Sequence, residues 1–121
     1  MALNLDISRI DNLVVVRCRG RIVFGEEADE LRRAVLNLLS ESKRIILNLA
    51  SIVQIDSSGV DTLVVTFISA RHRRAEINFA ALAPAVRRVL TNTRVDQLFE
   101  VYDSTEEAVN SFHFRPQAVA G

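Results

Sequence analysis

The apolar residues of this chain keep switching between two periods, and that switching restricts the fold more than any other feature. Leu3-Asn4-Leu5-Asp6-Ile7 alternates apolar with polar, as does the second half of Val14-Val15-Val16-Arg17-Cys18-Arg19. A period of two marks a half-buried strand. The Asp11-Asn12 break between the two runs is turn chemistry, so a tight hairpin is expected, its second strand ending at Gly20. From Glu26 the period lengthens, and Ala28, Leu31, Val35, Leu38 and Leu39 fall on one helical face. Glu26, Glu27, Asp29 and Glu30 suit the positive end of that helix's dipole.

Ile45-Ile46-Leu47-Asn48-Leu49 is nearly continuous in apolar residues, which suits a strand buried on both faces. A second helix should follow with Val60, Leu63, Val64, Phe67 and Ile68 inward, closing in the cations Arg71, His72, Arg73 and Arg74. Ile77-Asn78-Phe79-Ala80 reads as a strand, and Pro84 opens a helix that turns Val86, Val89 and Leu90 inward. Phe99-Glu100-Val101-Tyr102 reads as a last strand, and Ser104 with Glu107 forms a capping box for a final helix through Ala108, Val109 and Phe112. Strand–helix–strand units need parallel neighbours, whereas the opening hairpin is antiparallel. The expectation is a single α/β domain over residues 1–112, with a mixed, mostly parallel sheet of about five strands and about four α-helices. Pro116 and the small residues after it suggest a loose tail from 113 to 121.

Composition narrows the function. The chain's 121 residues fit one domain, and 49% apolar with 25% charged side chains is ordinary globular composition. Fifteen basic and fifteen acidic residues cancel, so no overall field draws the chain to nucleic acid or anionic lipid. Cys18 is the one cysteine, which excludes an intrachain disulfide; its alternation with Val14 and Val16 makes it a small core residue. Met1 to Asp6 has no basic leader, and no apolar run nears the roughly 20 residues that span a bilayer. A cytoplasmic protein is expected.

One short segment gathers the chemistry. Asp56, Ser57 and Ser58 are all strong N-cap residues, and they stand where a buried strand ends and a helix begins. Gly59 lets another backbone or a ligand come close. A helix N-terminus favours negative charge, and a phosphoryl group on serine adds about −1.5 to −2 charges. The turn is thus suited to a charge switch, or to serving as a plain helix cap.

The stretch from Ile45 through Asp56-Ser57-Ser58-Gly59-Val60 strongly resembles the core signature of STAS domains, the family of bacterial anti-sigma-factor antagonists. Leu82-Ala83-Pro84-Ala85-Val86-Arg87-Arg88-Val89-Leu90 and Val95-Asp96-Gln97-Leu98-Phe99-Glu100-Val101-Tyr102 are similar to that family's third helix and last strand. The resemblance implies partner switching. The unphosphorylated form binds an anti-sigma factor that is a serine kinase, phosphorylation of Ser57 releases it, and a phosphatase resets the cycle. Asp56, Ser58, Gly59 and Asp61 would complete the contact surface with the adjoining loop from Val23 to Glu26. The chain would be a substrate rather than an enzyme, with no cofactor of its own. Two positions depart from the family pattern: Asp61 stands where glycine is frequent, and Val23 where phosphorylated antagonists often carry an acid. The alternatives are a non-phosphorylated STAS scaffold or subunit of a larger regulatory or transport assembly, and a small nucleotide-binding domain. Homodimerisation stays open.

A Ser-His-Asp hydrolase is rejected. Residue 55 is isoleucine where a nucleophile elbow needs glycine. His72 lies at the far end of the helix that Ser57 begins, about 20 Å away at the usual rise per residue. His72 and His113 have no companions at metal-ligand spacing. The cations at 71–74, and Arg87 with Arg88, read as solvated helix surface.

Overall fold

A computed structural model describes residues 3–113, and the expected tail lies outside them except for His113, which closes the last helix. Five strands form one sheet in the order β1-β2-β3-β4-β5: β1 Asn4–Ile10, β2 Leu13–Ile22, β3 Arg44–Ile55, β4 Glu76–Ala80 and β5 Val101–Tyr102. Only β1 and β2 pair antiparallel, and Ile10 opposite Leu13 makes Asp11-Asn12 a two-residue hairpin loop. The other pairs are parallel. Four α-helices connect or follow them: α1 Glu26–Leu39, α2 Ser57–His72, α3 Pro84–Asn92 and α4 Thr105–His113.

Side chains alternate across the sheet, so β2, β3 and β4 each feed two cores. Val14, Val16, Ile45, Leu47, Ile77 and Phe79 join the main core with residues of α1, α2 and α3. Leu13, Val15, Ile46 and Ala80 join a smaller core with Ala108 and Phe112 of α4. Burial of β3 on both faces is what its apolar run demanded. Cys18 is 1% exposed, and burial pushes its thiol up to about 12. A thiol held that far above neutral pH has almost no nucleophilic thiolate. Ellman's reagent should therefore leave Cys18 untouched in the native protein and titrate one thiol after unfolding.

Three elements differ from the sequence expectation, each for a tertiary reason. β2 does not stop at Gly20: that residue takes a φ of 116°, a register shift follows, and the strand runs on to the fully buried Ile22. β3 runs six residues past Leu49. From Asn48 to Ser51 and from Ile52 to Gln54 it holds one residue more than β2 opposite, so its buried residues Leu49, Ile52 and Ile55 come every third position. These bulges hide the strand from a search for period two. The last strand keeps only Val101 and Tyr102. Phe99 instead packs its ring 4.2 Å from that of Phe79 and 5.1 Å from that of Phe67, after a short 3-10 turn at Val95–Gln97.

Helix α2 also departs from its expected face. It buries Gly59, Val60, Thr62, Leu63, Thr66 and Ala70, while Ile68 points outward at 46% exposure. Two of the buried positions are threonines and two exposed ones are Val65 and Ile68, so apolar periodicity could not choose the buried side. At the start of α4, the Glu107 N–H donates to Ser104 Oγ at 3.1 Å, which is the first half of the expected capping box.

Candidate functional site

β3 ends at Ile55, and α2 begins two residues later at Ser57. Asp56 is the N-cap in extended conformation: the Gly59 N–H donates to its Oδ1 at 2.9 Å. Its other oxygen, Oδ2, accepts the Phe24 N–H at 3.0 Å. One carboxylate therefore caps α2 and fastens the β2–α1 loop, 32 residues away in sequence. The Asp56 N–H also donates to the Ile22 carbonyl at 3.4 Å, so strand end and helix start are tied twice. Burial works against the Asp56 charge, but hydrogen bonds from Phe24, Gly59, Ser58 and its own backbone outweigh that and hold its carboxyl below the usual range.

A carboxyl depressed on folding adds stability that is full above its unfolded value, about 3.9 for aspartate, and lost as pH falls through the lower folded value. Asp56→Ala should cost about 2 kcal/mol at pH 7, since a cap and a second bond are both removed. Urea melts at pH 7 and pH 3 check this. The gap between wild type and variant must shrink at pH 3, and a constant gap would deny the charge any part.

Gly59 is buried, and the backbone it lets approach is the protein's own. A Cβ there would lie 2.1 Å from the Ile22 carbonyl oxygen and 2.7 Å from Ile55 Cγ1. Ser57 is exposed, Ser58 half-buried and Asp61 exposed. The Ser57 hydroxyl makes no hydrogen bond among the described residues, whereas Ser58 gives its carbonyl to Thr62 Oγ1 at 3.0 Å. The turn therefore divides: Asp56 and Gly59 face inward and hold the fold, and Ser57 and Asp61 face out. Ser57 and His72 are the two ends of α2, so His72 does not reach Ser57 from within this helix.

A groove of about 300 Å³ runs beside the turn between α1 and α2, with Phe24, Ala28, Asp29, Ser58, Asp61 and Val65 among its lining. Phe24 at its mouth is 79% exposed. Sequence reasoning placed the loop from Val23 to Glu26 beside the site but did not single out Phe24. A bulky aromatic between turn glycine and an acidic run was the available signal. Val23 is half-buried, and its carbonyl accepts the Ala28 N–H at 3.1 Å. Arg73, in the cationic cluster, reaches the Leu36 carbonyl at 3.3 Å, which gives that helix end a structural task.

The family model for the STAS domain matches residues 4–108, from the first strand into the last helix. The chain belongs to the STAS domain family. A STAS-domain containing protein of Pseudomonas aeruginosa (strain UCBPP-PA14) is 27% identical over 88 residues, 73% of this chain and 86% of that protein. Among solved structures, a candidate anti-sigma factor antagonist from Thermotoga maritima superposes with a TM-score of 0.81 at 22% identity, covering 88% of this chain and 92% of its own. The unphosphorylated anti-sigma factor antagonist SpoIIAA gives 0.77 at 18% identity, covering 91% and 96%. The STAS domain of a SulP transporter from Vibrio cholerae gives 0.68 at 20% identity, covering 86% and 83%. At these identities the superpositions speak for the fold. Within that fold, the turn from Asp56 to Gly59 is where this chain exposes a serine on top of an inward-facing cap. Among the described residues, no helix is long and apolar enough to cross a membrane.

Proposed function

We propose that this STAS domain is an anti-sigma-factor antagonist that binds an anti-sigma factor with serine-kinase activity and is released when Ser57 is phosphorylated. The observation that carries the reading is the division of the turn: Ser57 stands exposed at the first position of α2 while Asp56 and Gly59 fix it from behind. A kinase can reach that hydroxyl without unfolding the cap. A phosphate there meets the positive dipole end of α2, so the domain itself tolerates the charge. The partner does not, because a dianion in a desolvated contact costs solvation and repulsion. The chain acts as the substrate of the switch and performs no catalysis of its own; a phosphatase returns it to the binding form. SpoIIAA, whose structure is known in both unphosphorylated and phosphorylated forms, is a precedent for such modification within this fold.

Pull-downs from native-host lysate with wild type, Ser57→Ala and Ser57→Asp, read by mass spectrometry, test the reading. Wild type and Ser57→Ala should retain a kinase-like anti-sigma factor that Ser57→Asp loses. Retention of the same proteins by all three would leave Ser57 a helix cap. The second reading, a scaffold or subunit of a larger regulatory or transport assembly, is favoured by the SulP transporter domain among the structural relatives and by Val23 in place of an acid. A high native mass for the captured assembly would support it.

Asp61 lies one turn into α2, exposed on the groove that Phe24 also lines. As part of the contact face it tunes partner choice. Asp61→Gly should change affinity for the captured partner by several-fold in a calorimetric titration, and an unchanged constant removes Asp61 from the interface.

A further inference from the structure

The outward side of α2 is apolar where a solvated helix would be polar. Val65 and Ile68 are each 46% exposed there, with exposed Asp61 on one side of them and exposed Arg71 and His72 on the other. Asp61, Val65, Ile68 and His72 share one stripe at 3.6 residues per turn, opposite the buried Val60, Leu63, Thr66 and Ala70. Their spacings are four, three and four, so the stripe reads the same in both directions. Its charge does not: Asp61 makes it acidic toward the N-terminus of α2, and Arg71, on the neighbouring row with its guanidinium 5.8 Å from the Phe67 ring centroid, makes the surface beside His72 basic.

A surface with that pattern complements itself. We propose that α2 packs antiparallel against α2 of a second copy of this chain, about a two-fold axis between Val65 and Ile68. The axis sets Val65 of each copy against Ile68 of the other, and Asp61 of each beside Arg71 and His72 of the other. A two-fold contact uses the same patch on both subunits, and a palindromic stripe with opposite charge at its ends meets that requirement. Phe24, on the same groove as Val65, widens the apolar centre of the patch. An unrelated partner would need its own matching charges, whereas here both halves of the match lie in one helix. The centre is only a few side chains wide, so the pair is weak and reversible. It covers Asp61, so a partner that docks on Asp61 competes with the second copy. The inference does not depend on phosphorylation of Ser57.

Sedimentation velocity of the purified chain, from about 10 μM to about 1 mM, tests it. Wild type should show a monomer–dimer equilibrium in that range. Val65→Lys should raise the dissociation constant tenfold or more with thermal stability kept, because the site is half-exposed. Asp61→Arg alone, and Arg71→Glu with His72→Glu, should each weaken the dimer, and all three changes together should restore it, since the reversed charges match again. A wild type that stays monomeric at the upper concentration overturns the proposal. So does a dimer that Val65→Lys leaves intact, or a triple variant that regains nothing. If the monomeric wild type captures a cellular partner that Val65→Lys loses, the face belongs to that partner and self-association is refuted.

Discussion

Gly59→Ala should destabilise the domain by about 3 kcal/mol or more, and at that size many domains no longer fold fully at 37 °C. The new methyl would stand 2.1 Å from the Ile22 carbonyl oxygen and 2.7 Å from Ile55 Cγ1. The nearer obstacle is backbone, at the end of a strand whose Ile22 side chain is fully buried. Relief requires α2 to lift away from β2, which would also break the Asp56 N–H bond to the same carbonyl. Gly25 is the control. Its φ of 105° strains any other residue, but nothing lies within 4 Å of its absent Cβ. Gly25→Ala should cost about 1–3 kcal/mol, from backbone strain alone. Chemical denaturation of both variants decides the matter: Gly59→Ala must be clearly the worse. Equal losses would mean that α2 slides at little cost and that the turn is not wedged against β2.

Phosphorylation of Ser57 should weaken capture of the anti-sigma factor by about a thousandfold, or about 4 kcal/mol. Ser57→Asp, with a single charge and less bulk, should cost tenfold or more. The setting amplifies the charge: Ser57 follows Asp56, whose carboxyl is held below the usual range, and exposed Asp61 comes one turn later, so a dianion adds to the negative charge at this helix end. The same substitution should leave the fold intact, because an acid at the first position of a helix suits its dipole. Loss of binding with an unchanged melting temperature therefore separates a switch from damage. Ser58→Asp is the informative neighbour. Ser58 is half-buried and lines the α1–α2 groove, so its substitution tests whether charge anywhere on this face suffices. If phosphorylated and unmodified proteins bind the partner equally, the partner-switch reading fails and the scaffold reading takes its place.

Most of the architecture was legible because it rests on local chemistry. The hairpin at Asp11-Asn12, the start of α1 at Glu26 with its five buried residues, and Pro84 at the start of α3 stand where turn residues, period and proline put them. The Asp-Ser-Ser-Gly turn at the head of α2 was legible for the same reason, since caps are written in the few residues they join. Ile68 was misread because α2 buries Thr62 and Thr66 while apolar Val65 and Ile68 face out, and β3 was cut short because its bulges break the period on which strand recognition depends.

The sequence by itself therefore determined the element order, the mixed sheet and the position of the serine. Only the tertiary structure decided which way each residue of the turn faces. Asp56 binds Phe24, and Gly59 yields room to Ile22, across more than thirty intervening residues. Such contacts leave no local pattern, because they arise when β2 and β3 pair side by side and bring their ends to the same edge of the sheet. The exposure of Phe24, Val65 and Ile68 has the same origin. An apolar side chain is buried or left bare by what packs over it, and that is a property of the assembled layers rather than of any one segment.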